Sequence, residues 1–202
     1  MPRGNADVTR SKLLDATDAL LTERPGRTPT VAELCARADV NVAMVKYCFG
    51  SKNGLLDALL ERSLEGLAAE VEGLARSGLP PEEQLRRHVS EIVRNYVRYP
   101  YVNRLMTQRL MLAEPDGVDR ISRSFAIPVR AFYDELLSAG RAREGWRPID
   151  STLFFFSVVG VCEFLFSARP LLERAYGEQI DAALVERYSA HVAELVLNGV
   201  RA

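Results

Sequence analysis

Between Thr30 and Gly50 the sequence leaves the backbone few choices. Thr30-Val-Ala-Glu33 has the spacing of a capping box, in which each side chain satisfies a free N–H of the other residue at a helix start. The apolar pattern runs to about Ala38, and Asp39-Val40 leaves room only for a tight turn. Asn41 is a second N-cap, for a helix to about Cys48, and Gly50 is a second stop. Helices this short are marginal in water and must pack on a neighbour. Val31, Leu34, Cys35, Ala38, Val40, Val45 and Phe49 supply one apolar surface, and Leu13, Leu14 and Leu20 of a preceding segment supply another. Asn41, Val42, Ala43, Met44, Lys46 and Tyr47 are left for the outward face. Two short helices around a tight turn are the layout of a helix-turn-helix, here Val31 to Gly50, whose second helix lies in the major groove of DNA.

The rest of the chain also reads as helix. Thr9 is a candidate N-cap for a first helix carrying Leu13, Leu14, Leu20 and Leu21, which Pro25-Gly26 ends. Ser51 caps a helix that carries Leu55, Leu56, Leu59, Leu60 and Leu64 to about Arg76. Ser77-Gly-Leu-Pro-Pro81 is the clearest break. Beyond it come an amphipathic helix with Leu85, Val89, Ile92 and Val93 on one face, an interruption at Tyr99-Pro100, and a helix to about Ala113. A turn at Glu114-Pro-Asp-Gly117, a helix over 118–143 kinked at Pro128, and two final helices over 150–168 and 181–198 complete the pattern. No run alternates with period two. The expected fold is all-α, with about nine helices: a three-helix helix-turn-helix domain over 1–54, a connecting helix over 55–77, and a helical bundle over 78–202 that binds ligand and dimerises.

The stretch Thr30-Val-Ala-Glu-Leu-Cys-Ala-Arg-Ala-Asp-Val-Asn-Val-Ala-Met-Val-Lys-Tyr-Cys-Phe-Gly-Ser-Lys-Asn-Gly-Leu-Leu56 resembles the signature of the TetR family of transcriptional regulators. The resemblance is specific over about Val8 to Leu60; beyond that it is one of architecture. It implies that Thr30 caps the second helix and touches phosphate, and that Lys52, at the start of the fourth, meets the DNA backbone. A lysine beside a helix N-terminus suits phosphate by charge and by the exposed N–H groups. Tyr47 is placed to donate to phosphate. Val42, Ala43 and Met44 fall where bases are read and offer only apolar contacts, such as to a thymine methyl. Asn41 either caps the helix or reaches a base edge. Three positions depart from the family pattern: Asp39 stands where a turn glycine is usual, Lys46 where Tyr or Asn is frequent, and Cys48 where His is frequent. Asp tolerates the left-handed region that the turn requires.

Charge is balanced. The net charge is −1, and residues 1–62 carry nine basic and eight acidic side chains, so non-specific attraction to phosphate is expected to be modest. Cys35, Cys48 and Cys162 show no paired spacing, and His88 and His191 have no partner at metal-ligand spacing, so no metal or cofactor is expected. No phosphate loop or nucleophile elbow is present, and the expectation is a non-enzymatic, cytoplasmic protein with no membrane partner. Leu153 to Phe166 is apolar but interrupted, and too short to span a bilayer.

The second half is rich in aromatic residues, more than one compact bundle needs. Tyr96, Phe125, Phe132 and Phe156, with Arg104, Gln108, Arg109 and Glu163, form the candidate pocket for a small apolar or aromatic effector. Glu163 sits in an apolar helix and needs a partner such as Arg104 or Arg109. The last two helices are apolar on more than one face, which a two-fold contact would cover, and Phe155, Val159, Leu184, Tyr188, Val192 and Leu195 are the candidate interface. The expected function is a homodimeric, ligand-responsive repressor reading a palindromic operator on double-stranded DNA. The rival is a helical small-molecule-binding or scaffold dimer that has lost DNA reading.

Overall fold

The computed structural model describes residues 3–24 and 26–202, with side chains from residue 6 onward. Its fold is all-α, with no strand among the described residues. The helices are α1 (Arg3–Glu23), α2 (Val31–Ala38), α3 (Ala43–Phe49), α4 (Lys52–Ala75), α5 (Pro81–Arg98), α6 (Val102–Leu112), α7 (Pro115–Ile121), α8 (Ile127–Glu144), α9 (Ser151–Ser167), α10 (Arg169–Leu171) and α11 (Ala182–Val200).

Several local expectations are corrected. Thr9 lies inside α1, because no proline separates it from Arg3 and the helix continues back through it. Pro25 lies outside the described residues. The segment at Pro115 opens a helix instead of making a turn, since proline suits the first helical position, where its missing N–H costs nothing. Pro128 stands in an unbroken helical run over 115–144, in the first turn of α8, and the irregularity there is a π-helical turn over Ser122–Ala126 just before it. That turn, and the single-turn α10 followed by a second π-helical turn at Leu172–Tyr176, divide the nine expected helices further.

The described residues form two compact units that do not follow chain order. One comprises the described residues up to Gly66 together with Tyr99–Ser122. There α1 packs on α2 and α3, and Leu13, Leu21, Leu34, Leu55 and Leu59 are fully buried. The remote segment joins through polar contacts. The Tyr101 hydroxyl donates to Asp18 Oδ1 at 2.7 Å and meets Ser63 Oγ at 3.1 Å. Arg109 Nε donates to Asp57 Oδ1 at 2.6 Å, with Arg120 4.0 Å from the other carboxylate oxygen.

The other unit comprises Leu67–Arg98 and Arg123–Ala202. Here α5 packs against α8, α9 and α11, presenting the fully buried Leu85, Val89 and Val93. Opposite them lie Phe132, Tyr133, Phe154, Val158, Cys162, Val192 and Leu197. Gly140 is required by packing: a Cβ there would sit 2.1 Å from the ring of buried Trp146.

Candidate nucleic-acid interface

The geometry starts from caps. Thr30 Oγ1 accepts from the Glu33 N–H at 3.2 Å, and Glu33 Oε2 accepts from the Thr30 N–H at 2.8 Å. The Thr30 hydroxyl also donates to that carboxylate at 3.0 Å, while Arg27 and Arg24 pair with its other oxygen. The hydrogen bonds from Thr30, backbone first, hold the Glu33 carboxyl below the ordinary carboxylate range. Asp39 closes α2 in the left-handed region at φ 52°. Asn41 Oδ1 accepts from the Ala43 N–H at 2.8 Å, so this side chain caps α3, although the helix proper begins two residues later. Asn41 therefore keeps both of its amide N–H groups for a ligand.

The step out of α3 is equally constrained. Gly50 stops the helix, and Ser51 Oγ accepts from the Gly54 N–H at 3.0 Å to cap α4. A Cβ on Gly54 would meet the Phe49 carbonyl oxygen at 2.1 Å, so glycine permits the close approach of the two helix ends. Lys52 is thereby held at the first residue of α4.

Of the residues expected outward, Asn41, Val42, Ala43, Lys46 and Tyr47 are exposed; Val42 is 55 % and Tyr47 66 % accessible. Met44 and Lys52 are half-buried. Thr30 is exposed, but its hydroxyl is already committed to Glu33. The near-neutral charge is also resolved locally. Glu33 is paired with Arg24 and Arg27, Glu23 with Arg37, and Asp15 with Arg62. Among the described residues no ion pair engages Lys46 or Lys52, so these two cations of the α3–α4 surface stay available to an anion.

The candidate pocket residues are divided. Arg104, Gln108 and Arg109 belong to the first unit, where Arg104 donates to Thr28 Oγ1 at 3.1 Å, Arg109 pairs with Asp57, and Gln108 is exposed. In the second unit Phe132 is core and Phe125 stands edge-on to Phe155. Phe156 faces outward, 68 % exposed. Tyr96 stacks on Phe166 at 5.1 Å, and burial, then the charge of half-buried Glu163, raises its hydroxyl pKa.

The candidate interface residues divide as well. Leu184 and Val192 are buried within the chain's own unit, because α11 turns that face to α5. Phe155, Val159 and Tyr188 are half-buried, and the Tyr188 hydroxyl donates to the Val161 carbonyl. Leu195 is exposed. The outward apolar stripe of α9 is Leu153, Phe156, Gly160 and Phe164.

Residue spacing gives no sign of three further features. Arg10 reaches the end of α3, Asp57 receives Arg109, and His88 Nε2 lies 2.8 Å from the Tyr133 hydroxyl in the core. Burial lowers the His88 pKa to about 4 and raises the Cys162 thiol to about 12. Each depends on a partner remote in sequence. Among the described residues no single helix is long and apolar enough to cross a membrane.

Comparison with known proteins bears on this arrangement. The HTH-type transcriptional regulator BetI of Burkholderia thailandensis is 33 % identical over 92 residues, 45 % of this chain and 47 % of BetI, so that match spans about half the relative's length. The HTH-type transcriptional repressor NicS of Pseudomonas putida is 25 % identical over 199 residues, 97 % of this chain and 94 % of NicS. The crystal structure of the transcriptional regulator FadR from Bacillus subtilis, in complex with stearoyl-CoA, shares the fold with a TM-score of 0.68 at 15 % identity, covering 95 % of this chain and 99 % of that one. The sequence model for the Tetracyclin repressor-like, C-terminal domain matches residues 78–202, more than half of the chain. With a helix-turn-helix ahead of that domain, the chain belongs to the TetR family of transcriptional regulators.

Proposed function

We propose that this protein is a homodimeric repressor that binds a palindromic operator and releases it when a small apolar or aromatic effector occupies the C-terminal domain. The observation that carries the reading is the outward face of α3. Ala43, Lys46 and Tyr47 are exposed on α3, and Asn41 and Val42 on the turn that leads into it, next to Lys52 at the start of α4. In this reading Lys46, Lys52 and Tyr47 contact phosphate, while Val42 and Ala43 pack on thymine methyl groups. A free Thr30 hydroxyl is not needed; where it meets phosphate, it first leaves Glu33.

Dimerisation rests on the exposed apolar stripe of α9 with Leu195 of α11, because a soluble chain seldom leaves so many large apolar side chains uncovered. Effector binding would change the spacing of the paired recognition helices, so that both half-sites are no longer met together. Selection from random duplexes followed by a gel-shift titration tests the reading. The expected result is a two-fold symmetric, A·T-containing site bound by a dimer. Failure to enrich any sequence favours a scaffold that no longer reads DNA. Sedimentation tests the dimer: Phe156→Glu with Phe164→Glu is expected to give monomers, and an unchanged dimer would refute the assigned face.

A further inference from the structure

The recognition helix is seven residues long, too short to hold its own direction. At its start Asn41 caps it. At its end the Lys46 carbonyl is taken by the Gly50 N–H, while the carbonyls beyond it, at the negative end of the helix dipole, need a donor from outside the helix. Arg10, on α1, meets that need: its Nη1 donates to the Cys48 carbonyl at 3.1 Å. The same guanidinium lies over the Phe49 ring, 4.5 Å from its centroid. One planar cation thus binds two consecutive residues at the end of α3, by a charge-assisted hydrogen bond and by its face on an aromatic ring. Among the described residues no ion pair engages Arg10.

We infer that Arg10 is a positioning residue for DNA reading: it fixes the direction of α3 on α1 instead of contacting phosphate. This rests on the proposed DNA reading and adds a specificity determinant outside the reading helix. Lysine cannot replace it, because a compact ammonium lacks the planar fork that stacks and donates together. A phosphate contact would behave differently. It would tolerate lysine, and its loss would lower the dependence of log affinity on log salt by about one per subunit.

The test is a titration of the selected operator and of an unrelated duplex at several salt concentrations, with the full chain and its Arg10→Lys, Arg10→Ala and Phe49→Leu variants. Thermal midpoints are measured alongside. For both Arg10 variants and for Phe49→Leu, we expect operator affinity to fall by about ten-fold or more, with the salt slope and the affinity for unrelated DNA unchanged. Arg10→Lys combined with Phe49→Leu should lose less than the sum of the two single losses, because the ring contact they share can be lost only once. Full retention of operator affinity by Arg10→Lys, or a reduced slope in Arg10→Ala, overturns the proposal and makes Arg10 a phosphate contact. Equal losses on both duplexes, tracking a lowered thermal midpoint, overturn it in favour of general stability. A parent chain with no specific complex removes the DNA reading, and this inference with it; a specific parent complex that the Arg10 variants leave intact removes this inference alone.

Discussion

In the unit that contains the helix-turn-helix, a buried leucine core is accompanied by exposed ion pairs between remote residues, Arg62 to Asp15 and Arg37 to Glu23, while Arg109 to Asp57 and Tyr101 to Asp18 are part-buried. In the other unit exposed ion pairs such as Arg86 to Glu194 accompany a core that is aromatic and deep. Tyr133 is fully buried, lies edge-on to Phe154 at 5.2 Å and to His88 at 5.2 Å, and shares a hydrogen bond with that imidazole. The two modes differ in what they permit. An exposed ion pair contributes about 0–1 kcal/mol and can be exchanged for a phosphate at little cost. A packed aromatic cluster cannot be rearranged without opening a cavity. The first unit is built to present a surface, and the second to hold a shape.

The contrast can be broken at its strongest point by Phe132→Ala. Denaturant unfolding should show a loss of about 3–5 kcal/mol, and a loss near that of a surface substitution would contradict the deep-core description. His88 comes next. Its folded pKa is about 4 against an ordinary value of 6.5, so the unfolded chain binds the proton more readily. Stability is therefore full above about pH 6.5 and falls as the pH drops towards 4, by up to roughly 1.4 kcal/mol per unit. His88→Gln, which can still bond Tyr133, should flatten that slope between those pH values, and an unchanged slope would assign it elsewhere. A smaller effect is expected in the first unit, where Thr30→Ala removes the reciprocal cap and should cost about 1 kcal/mol in the same unfolding assay. The depressed Glu33 carboxyl gives this contribution a direction: present at neutral pH, and lost as acid protonates the carboxylate. The smallest effect belongs to Arg37→Ala, which removes a surface pair and should change stability by less than about 1 kcal/mol. A larger value would mean that the first unit depends on its ion pairs more than their exposure implies.

The same contrast explains what was legible in the sequence. The helix-turn-helix is specified by neighbours three or four residues apart, so Thr30 with Glu33, Asp39 in its left-handed turn, Asn41 and Ser51 could each be assigned a task from spacing alone. The outward face of α3 followed from helical period, apart from Met44, which is half-buried. The second unit depends on partners far apart in the chain. Periodicity marked α9 and α11 as apolar all round, but which side met the chain's own core was decided by α5, so Leu184 and Val192 turned inward and Phe156 outward. Arg104 and Arg109 were set beside Glu163 by charge alone, whereas Arg104 bonds Thr28 and Arg109 pairs with Asp57. Arg10 carried no local signal, since its partners lie 38 and 39 residues away in the sequence.

The central claim is that the α3–α4 surface is a DNA reader whose two unpaired lysines meet phosphate. Its most direct test is fluorescence anisotropy of the selected operator, titrated with the full chain and with Lys46→Ala and Lys52→Ala across a range of salt. The account predicts tight, salt-sensitive binding by the parent chain. Each substitution should weaken binding to all duplexes alike and reduce the salt slope by about one per subunit. A salt-sensitive specific complex that neither lysine substitution alters would place the reading surface elsewhere on the molecule.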